Sequence, residues 1–226
     1  MKYTFLGHSA FLVESEAYLM LFDSTTGSVP LPSDTKPLFV FASHRHADHY
    51  DPSIFSLAER RGHTVFFLSS DIPPTNVPFP YTINKVGPYE ENIVEGVVVK
   101  TLKSTDEGVA FVVEVEGKSI YFAGDLNHWH WQGESEAYNE AMAEAYHKEL
   151  ELLPSHLDCA FIPVDPRLGD FYSLGAKDLV SRLAVDTLVP MHFWGDYSVC
   201  SKLKKELAES GVNVVLLEAV PQTWRI

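Results

Sequence analysis

Short runs of apolar residues separated by turn residues fill the first third of the chain, and a longer alternation of strand-like and helix-like segments comes after it. Tyr3–Leu6, Ala10–Val13 and Tyr18–Phe22 are β-type runs that predict an antiparallel meander. Residues 37–42, Pro-Leu-Phe-Val-Phe-Ala, are apolar throughout, the pattern of a strand covered on both faces. Asp51 and Pro52 supply an N-cap and a first-turn proline for a helix ending near Gly62, and Thr64–Leu68 is the next strand. Residues 71–88 hold five prolines and read as loop with room for one edge strand.

Val97–Leu102, Val109–Val115 and Lys118–Ala123 form a second strand series, and Glu116-Gly117 turns the last two into a hairpin. Glu134–Leu153 favours helix, with its glutamates on a solvated face. Beyond Asp158 the chain alternates: strand 159–163, helix 175–183, strand 187–190, helix 199–210, strand 212–217. No repeat and no linker interrupts it. This order predicts one α/β domain over residues 1–226, with two sheets face to face and helices outside.

Composition narrows the class without naming a function. The chain has 226 residues, 46% hydrophobic and 21% charged, as in ordinary globular proteins. Its net charge of −14 argues against a protein that grips nucleic acid through a basic surface. Cys159 and Cys200 lack any CxxC pairing and are expected to be buried, reduced thiols. No apolar run approaches the roughly 18 residues that cross a bilayer. The apolar N-terminus is broken by Gly7-His8-Ser9 and reads as strand, not signal peptide. The expectation is a cytoplasmic protein with a small-molecule substrate and neither nucleic acid nor membrane as partner.

The chemistry concentrates after the apolar run 37–42. His44 and His46 stand two apart at the end of an extended segment, so both side chains leave one face and can converge on one ion. Asp48 and His49 come next, in the turn before Asp51. Imidazoles mixed with carboxylate suit a divalent ion, zinc first, with manganese, iron or nickel as options. Such a set points to a hydrolase that activates water on a metal.

The motif His44-x-His46-x-Asp48-His49 is the hallmark of the metallo-β-lactamase superfamily, and nearly the whole chain resembles that family in order. The resemblance implies the four-layer αββα sandwich. It implies that Asp125, after Gly124, supplies the bridging carboxylate, and that His192, after Pro190-Met191, is the last ligand. The opening Leu6-Gly7-His8-Ser9-Ala10-Phe11 and the later Phe22-Asp23 are similar to the L-ascorbate-6-phosphate lactonase branch. A small ester, lactone or phosphodiester is the implied substrate, because the length leaves no room for the added domain of nucleic-acid-cleaving relatives.

The sequence departs from the family at one place. Where another ligand histidine is normal it has Lys103-Ser104-Thr105-Asp106-Glu107-Gly108, and no histidine occurs between His63 and His128. Three outcomes stay open: a single ion, a replacement ligand from Asp106, His128 or His130, or a scaffold that binds metal or ligand without catalysis. Within the hydrolase reading, Asp48 orients the water and His130 protonates the leaving group. His8, His128 and Asp165 are candidate substrate contacts. His63, His147 and His156 read as surface residues.

Overall fold

The computed structural model describes residues 1–73 and 82–226, so part of the proline-rich stretch lies outside the described residues. The chain divides into two compact units, residues 1–87 with 219–226, and residues 88–218.

The first unit is a seven-stranded sheet in the order β14-β1-β2-β3-β4-β5-β6. Its strands are β1 (Lys2–Gly7), β2 (Ala10–Glu14), β3 (Leu19–Phe22), β4 (Leu38–Ala42), β5 (Thr64–Ser69), β6 (Thr82–Val86) and β14 (Gln222–Arg225). β1, β2 and β3 form the expected meander, whereas β3 to β6 are parallel. β14 returns to pair with β1, setting Tyr3 opposite Trp224 with their rings stacked at 5.7 Å.

Alternation along β4 sorts its side chains. Leu38, Val40 and Ala42 pack in one cluster with Ile54, Phe55 and Leu57 from a short 3₁₀ turn (Pro52–Phe55) and helix α1 (Ser56–Arg60). Phe39 and Phe41 point the other way, where Phe41 stacks between Phe22 and Phe67 at 4.7 and 5.3 Å. Each fully buried phenylalanine is worth roughly 1.5–3 kcal/mol of transfer free energy. That anchors β3, β4 and β5 in register, and with them the residues just beyond their C-terminal ends. Asp51 caps the 3₁₀ turn as its sequence suggests, accepting the Ser53 N–H at 2.8 Å.

The second unit is also a seven-stranded sheet, in the order β13-β12-β11-β10-β9-β8-β7. Its strands are β7 (Glu91–Val94), β8 (Val97–Lys103), β9 (Val109–Val115), β10 (Lys118–Phe122), β11 (His156–Pro163), β12 (Ala184–Met191) and β13 (Asn213–Val214). Glu116 and Gly117 both take positive φ, the conformation of the tight turn expected between β9 and β10. Helix α2 (Glu136–Leu150) is capped by Ser135, and α3 (Leu174–Arg182) and α4 (Ser198–Glu206) come later in the chain. The strand β13 is shorter than the apolar run 212–217 suggests: Asn213 and Val214 pair with Thr187 and Leu188 of β12, and the Val215 N–H adds one bond to the Leu188 carbonyl.

Here β10, β11 and β12 are parallel neighbours, so their C-terminal ends lie side by side. Functional side chains in open α/β sheets gather at such ends. Asp125, Asp165 and His192 each lie within three residues of one. Both cysteines are buried and form no disulfide. Among the described residues no helix is long and apolar enough to cross a membrane.

Candidate metal centre

In the first unit, β3 and β4 run parallel and deliver Asp23 and Ser43-His44 to the same end of the sheet. Asp23 is fully buried and accepts three hydrogen bonds. The Ser43 N–H donates at 2.7 Å, the Ser43 hydroxyl at 2.6 Å and the His49 Nδ1–H at 2.7 Å. Since the Ser43 proton goes to Asp23, its oxygen is left to accept the His44 Nδ1–H at 2.9 Å. One carboxylate therefore orients His49 directly and His44 through Ser43. Both rings are left with Nε2 as the atom for a ligand, the arrangement that fixes metal-binding imidazoles.

The rings are close together. His44 lies 4.2 Å from His49 and 4.6 Å from His46, centroid to centroid. The turn that brings His49 back is closed by the His49 and Tyr50 N–H groups, which both donate to the His46 carbonyl. Burial and the neighbouring His49 push His44 down to about 4, so at neutral pH it is an uncharged imidazole with a lone pair to give. Burial pushes Asp23 up to about 7, against His44 and the Ser43 hydrogen bonds. A buried carboxylate in that position is stabilised by positive charge close by.

Asp48 faces His8, whose Nε2 lies 3.2 Å from Asp48 Oδ2. That hydrogen bond holds the Asp48 carboxyl well below the usual range although burial opposes it, so Asp48 is an anion. His8 and Asp48 line a cavity of about 490 Å³ in this unit, with Ser24, Thr25, Thr26 and Ser28 offering hydroxyls on its wall. His8 and Asp23 take positive φ, which is uncommon outside glycine and clusters at working sites.

The second unit repeats the logic with other residues. His192 Nδ1 donates to Asp165 Oδ2 at 3.0 Å, and its Nε2 lies 3.5 Å from Asp125 Oδ1. His192 too has a positive φ, which turns its ring back from the end of β12. Donors bound to one ion by bonds of 2.0–2.2 Å stand about 3.3 Å apart, so Asp125 and His192 are spaced as co-ligands. Trp129 closes this region: its indole N–H donates to the Asp125 carbonyl, and its ring meets His192 edge-on at 5.7 Å.

Asp165, a candidate substrate contact by its sequence position, lies behind His192. It is fully buried, accepting from His192, from the Arg167 N–H and guanidinium, and from Trp194 Nε1. Burial opposes its charge, but the His192 and Arg167 hydrogen bonds outweigh it and hold the carboxyl below the usual range. Its role is to orient His192. The Arg167 guanidinium in turn lies over the Trp194 and Trp131 rings at 4.7 and 5.7 Å.

The loop at the missing histidine is occupied differently. The Thr105 hydroxyl accepts the Asn127 N–H at 3.0 Å and donates to the Asn127 carbonyl at 2.7 Å. Asp106 is exposed. His130 packs its ring on Phe171 at 3.8 Å, and His128 binds Asp178. Among the described residues no group of three close donors joins Asp106, His128 or His130 to Asp125 or His192.

The donor sets are of one kind, imidazole with carboxylate, and His44, His49 and His192 are each steadied at Nδ1. They fit a divalent transition ion. The comparison with known proteins agrees. A family model described as a beta-lactamase superfamily domain matches residues 2–141. The chain belongs to the metallo-β-lactamase superfamily. It is 26% identical to a UPF0173 metal-dependent hydrolase of Korarchaeum cryptofilum over 98% of this chain and 97% of the relative. A UPF0173 metal-dependent hydrolase of Opitutus terrae is 29% identical over 85% of both. Among solved structures, the metallo-β-lactamase fold protein YhfI from Bacillus subtilis aligns with a TM-score of 0.66 at 15% identity, over 99% of this chain and 98% of that one. The superfamily's mixed α/β fold, two sheets with helices, is the fold of this chain.

Sequence reasoning names His44, His46, Asp48, His49, Asp125 and His192, but gives Asp23 and Ser43 no role. Their signal is present in the chain: Asp23 ends an apolar strand beside the one that ends in Ser43-His44.

Proposed function

We propose that this protein is a metal-dependent hydrolase that uses activated water on a small ester, lactone or phosphodiester. The observation that carries the proposal is the shared posture of three imidazoles. His44, His49 and His192 each commit Nδ1 to an oxygen of Ser43, Asp23 or Asp165, which leaves Nε2 for an ion. The ligand set proposed is His44, His46, Asp48, His49, Asp125 and His192, joined on the superfamily's order of ligands along the chain. Zinc is the ion this chemistry favours, and a single ion is proposed on Asp48, His49, Asp125 and His192, with the position of His44 and His46 left a ligand short because Thr105 serves Asn127 at the place of the absent histidine.

A bound divalent ion supplies an acidified water and polarises the oxygen under attack. The chain's own residues do the rest. Asp48, an anion beside His8, would help hold the ion and orient the attacking water. Asp23 and Asp165 keep the ligand rings from turning. His130 is the proposed proton donor to the leaving group. The hydroxyl-lined cavity next to His8 and Asp48 suits the polar part of a small ester or lactone, and the lactonase-like opening 6–11 points the same way.

The test is turnover by zinc-loaded protein on a panel of lactones, esters and phosphodiesters, with and without chelator. Chelator-sensitive turnover of one class that Asp48→Ala abolishes is expected. Stoichiometric metal with no turnover on any class would sink the hydrolase reading and leave a metal-binding domain on the same scaffold.

A further inference from the structure

The second unit holds another group of donors, which shares no residue with the proposed ligand set. Asp178 on α3 receives two imidazoles on the same oxygen. The His128 Nδ1–H donates to Asp178 Oδ2 at 2.7 Å, and the His147 Nε2–H, from α2, donates to it at 2.8 Å. The three side chains are partly buried, at 11%, 30% and 25% exposure for His128, His147 and Asp178. One donor atom of each lies within 4.8 Å of the others.

Their scaffolding is rigid. Buried Tyr146, next to His147, donates its hydroxyl to the Gly175 carbonyl at 2.9 Å and so ties α2 to α3. Gly175 stands one helical turn before Asp178. A Cβ added there would fall 1.9 Å from Asn127 Oδ1 and 3.3 Å from the His128 nitrogen, so glycine is what lets α3 approach this segment. Thr105 pins the same segment from the other side through both backbone groups of Asn127. The donors are thus held by backbone and buried side chains, not by their own flexibility.

We propose that His128, His147 and Asp178 form a second metal site, which takes a divalent first-row transition ion, zinc by preference, and cross-links α2, α3 and the segment after β10. Two imidazoles and one carboxylate are the donors that select zinc, nickel or copper over magnesium and calcium, which prefer all-oxygen shells. The nitrogen-to-oxygen separations already lie about half an ångström below those of co-ligands on zinc, a gap that small rotations of solvent-edged side chains close. Water completes the shell. The ion replaces the two ring protons now donated to Asp178, each of which moves to the other nitrogen of its ring or to solvent.

The full chain, stripped with chelator and dialysed against zinc, is assayed for ions per chain as parent, His147→Gln and Asp178→Asn. The parent is expected to retain about one more zinc per chain than either variant, and zinc is expected to raise its Tm more than theirs. Glutamine is a good helix former, so His147→Gln leaves α2 intact. A cobalt titration of the unaltered protein, read at the ring protons of His128 and His147 by NMR, keeps the test independent of any variant. Large paramagnetic shifts at both rings support the site. Equal zinc in parent and folded variants, or ring protons that do not move, would overturn it and leave a hydrogen-bonded carboxylate between two imidazoles.

Discussion

The two histidine clusters of this protein use carboxylates in opposite ways. Around His44 and His49, Asp23 stands behind the rings, taking the His49 Nδ1–H itself and the His44 Nδ1–H through Ser43, so that Nε2 is the side turned to a ligand. Between α2 and α3, Asp178 stands among the rings and takes both imidazoles on one oxygen. An outward-facing set with an anion at its edge, Asp48, can hold an ion and still leave a position for water and substrate. A set that closes on its own carboxylate can staple helices and little more. The same residue types therefore yield a reactive site or a structural one, depending on which side of the imidazole the carboxylate occupies.

The largest effect should come from removing the carboxylate behind the rings. Asp23→Asn replaces an acceptor of three hydrogen bonds with a side chain whose NH₂ faces donors. Metal affinity should fall about 10–100-fold, as it does when the oxygen behind a ligand histidine is lost. A competition titration against a chelator of known strength measures this. Affinity within a factor of about two of the parent would mean that Asp23 does not orient these rings.

The closed cluster is sharpened by Gly175→Ala. The added methyl meets Asn127 Oδ1, part of a segment pinned by Thr105, so the strain cannot relax cheaply. A loss of about 1–3 kcal/mol in unfolding free energy is expected, along with loss of zinc at His128 and His147 but not at His49. Denaturant melts with metal counts decide it; unchanged stability would mean α3 can move away.

A smaller effect belongs to a contact outside both clusters. Glu206 on α4 accepts from Tyr172 and Ser173 and pairs with Lys177. Burial opposes its charge, but these partners outweigh it and hold the carboxyl below its ordinary value. A depressed carboxylate stabilises the fold above its unfolded pKa of about 4.3, and that contribution fades as pH falls through the folded value. Glu206→Gln should cost under about 1 kcal/mol at pH 7, because Lys177 is substantially exposed and screened. The difference from parent should vanish in strong acid, and Tm against pH reads it.

Much of this is legible in the chain because strand ends announce themselves. The run 37–42 leads into His44-x-His46-x-Asp48-His49, and β10 and β12 lead into Asp125 and His192, so apolar runs point to the ligands. The supporting residues are harder to read. Asp23 depends on β3 pairing with β4, and Asp165 depends on β11 lying beside β12; sheet order is a long-range property that local pattern does not contain. Asp165 resembles a substrate contact because it ends a strand in a loop, and its burial against Arg167 and His192 is not written in the local pattern. His147 reads as a surface residue on a glutamate-rich helix, since nothing local says that Asp178 and His128 will meet it. The edge strands β6, β7 and β14 carry mixed patterns, as strands with one solvated face and one partner do.

The central claim, that the anchored imidazoles hold the metal, is tested most directly by counting ions in protein carrying His147→Gln, so that the closed cluster contributes nothing. That background should retain about one divalent ion per chain after dialysis, and Asp48→Ala with His49→Ala added should retain none while keeping the parent's circular dichroism. An unchanged ion count in the folded triple variant would contradict the account.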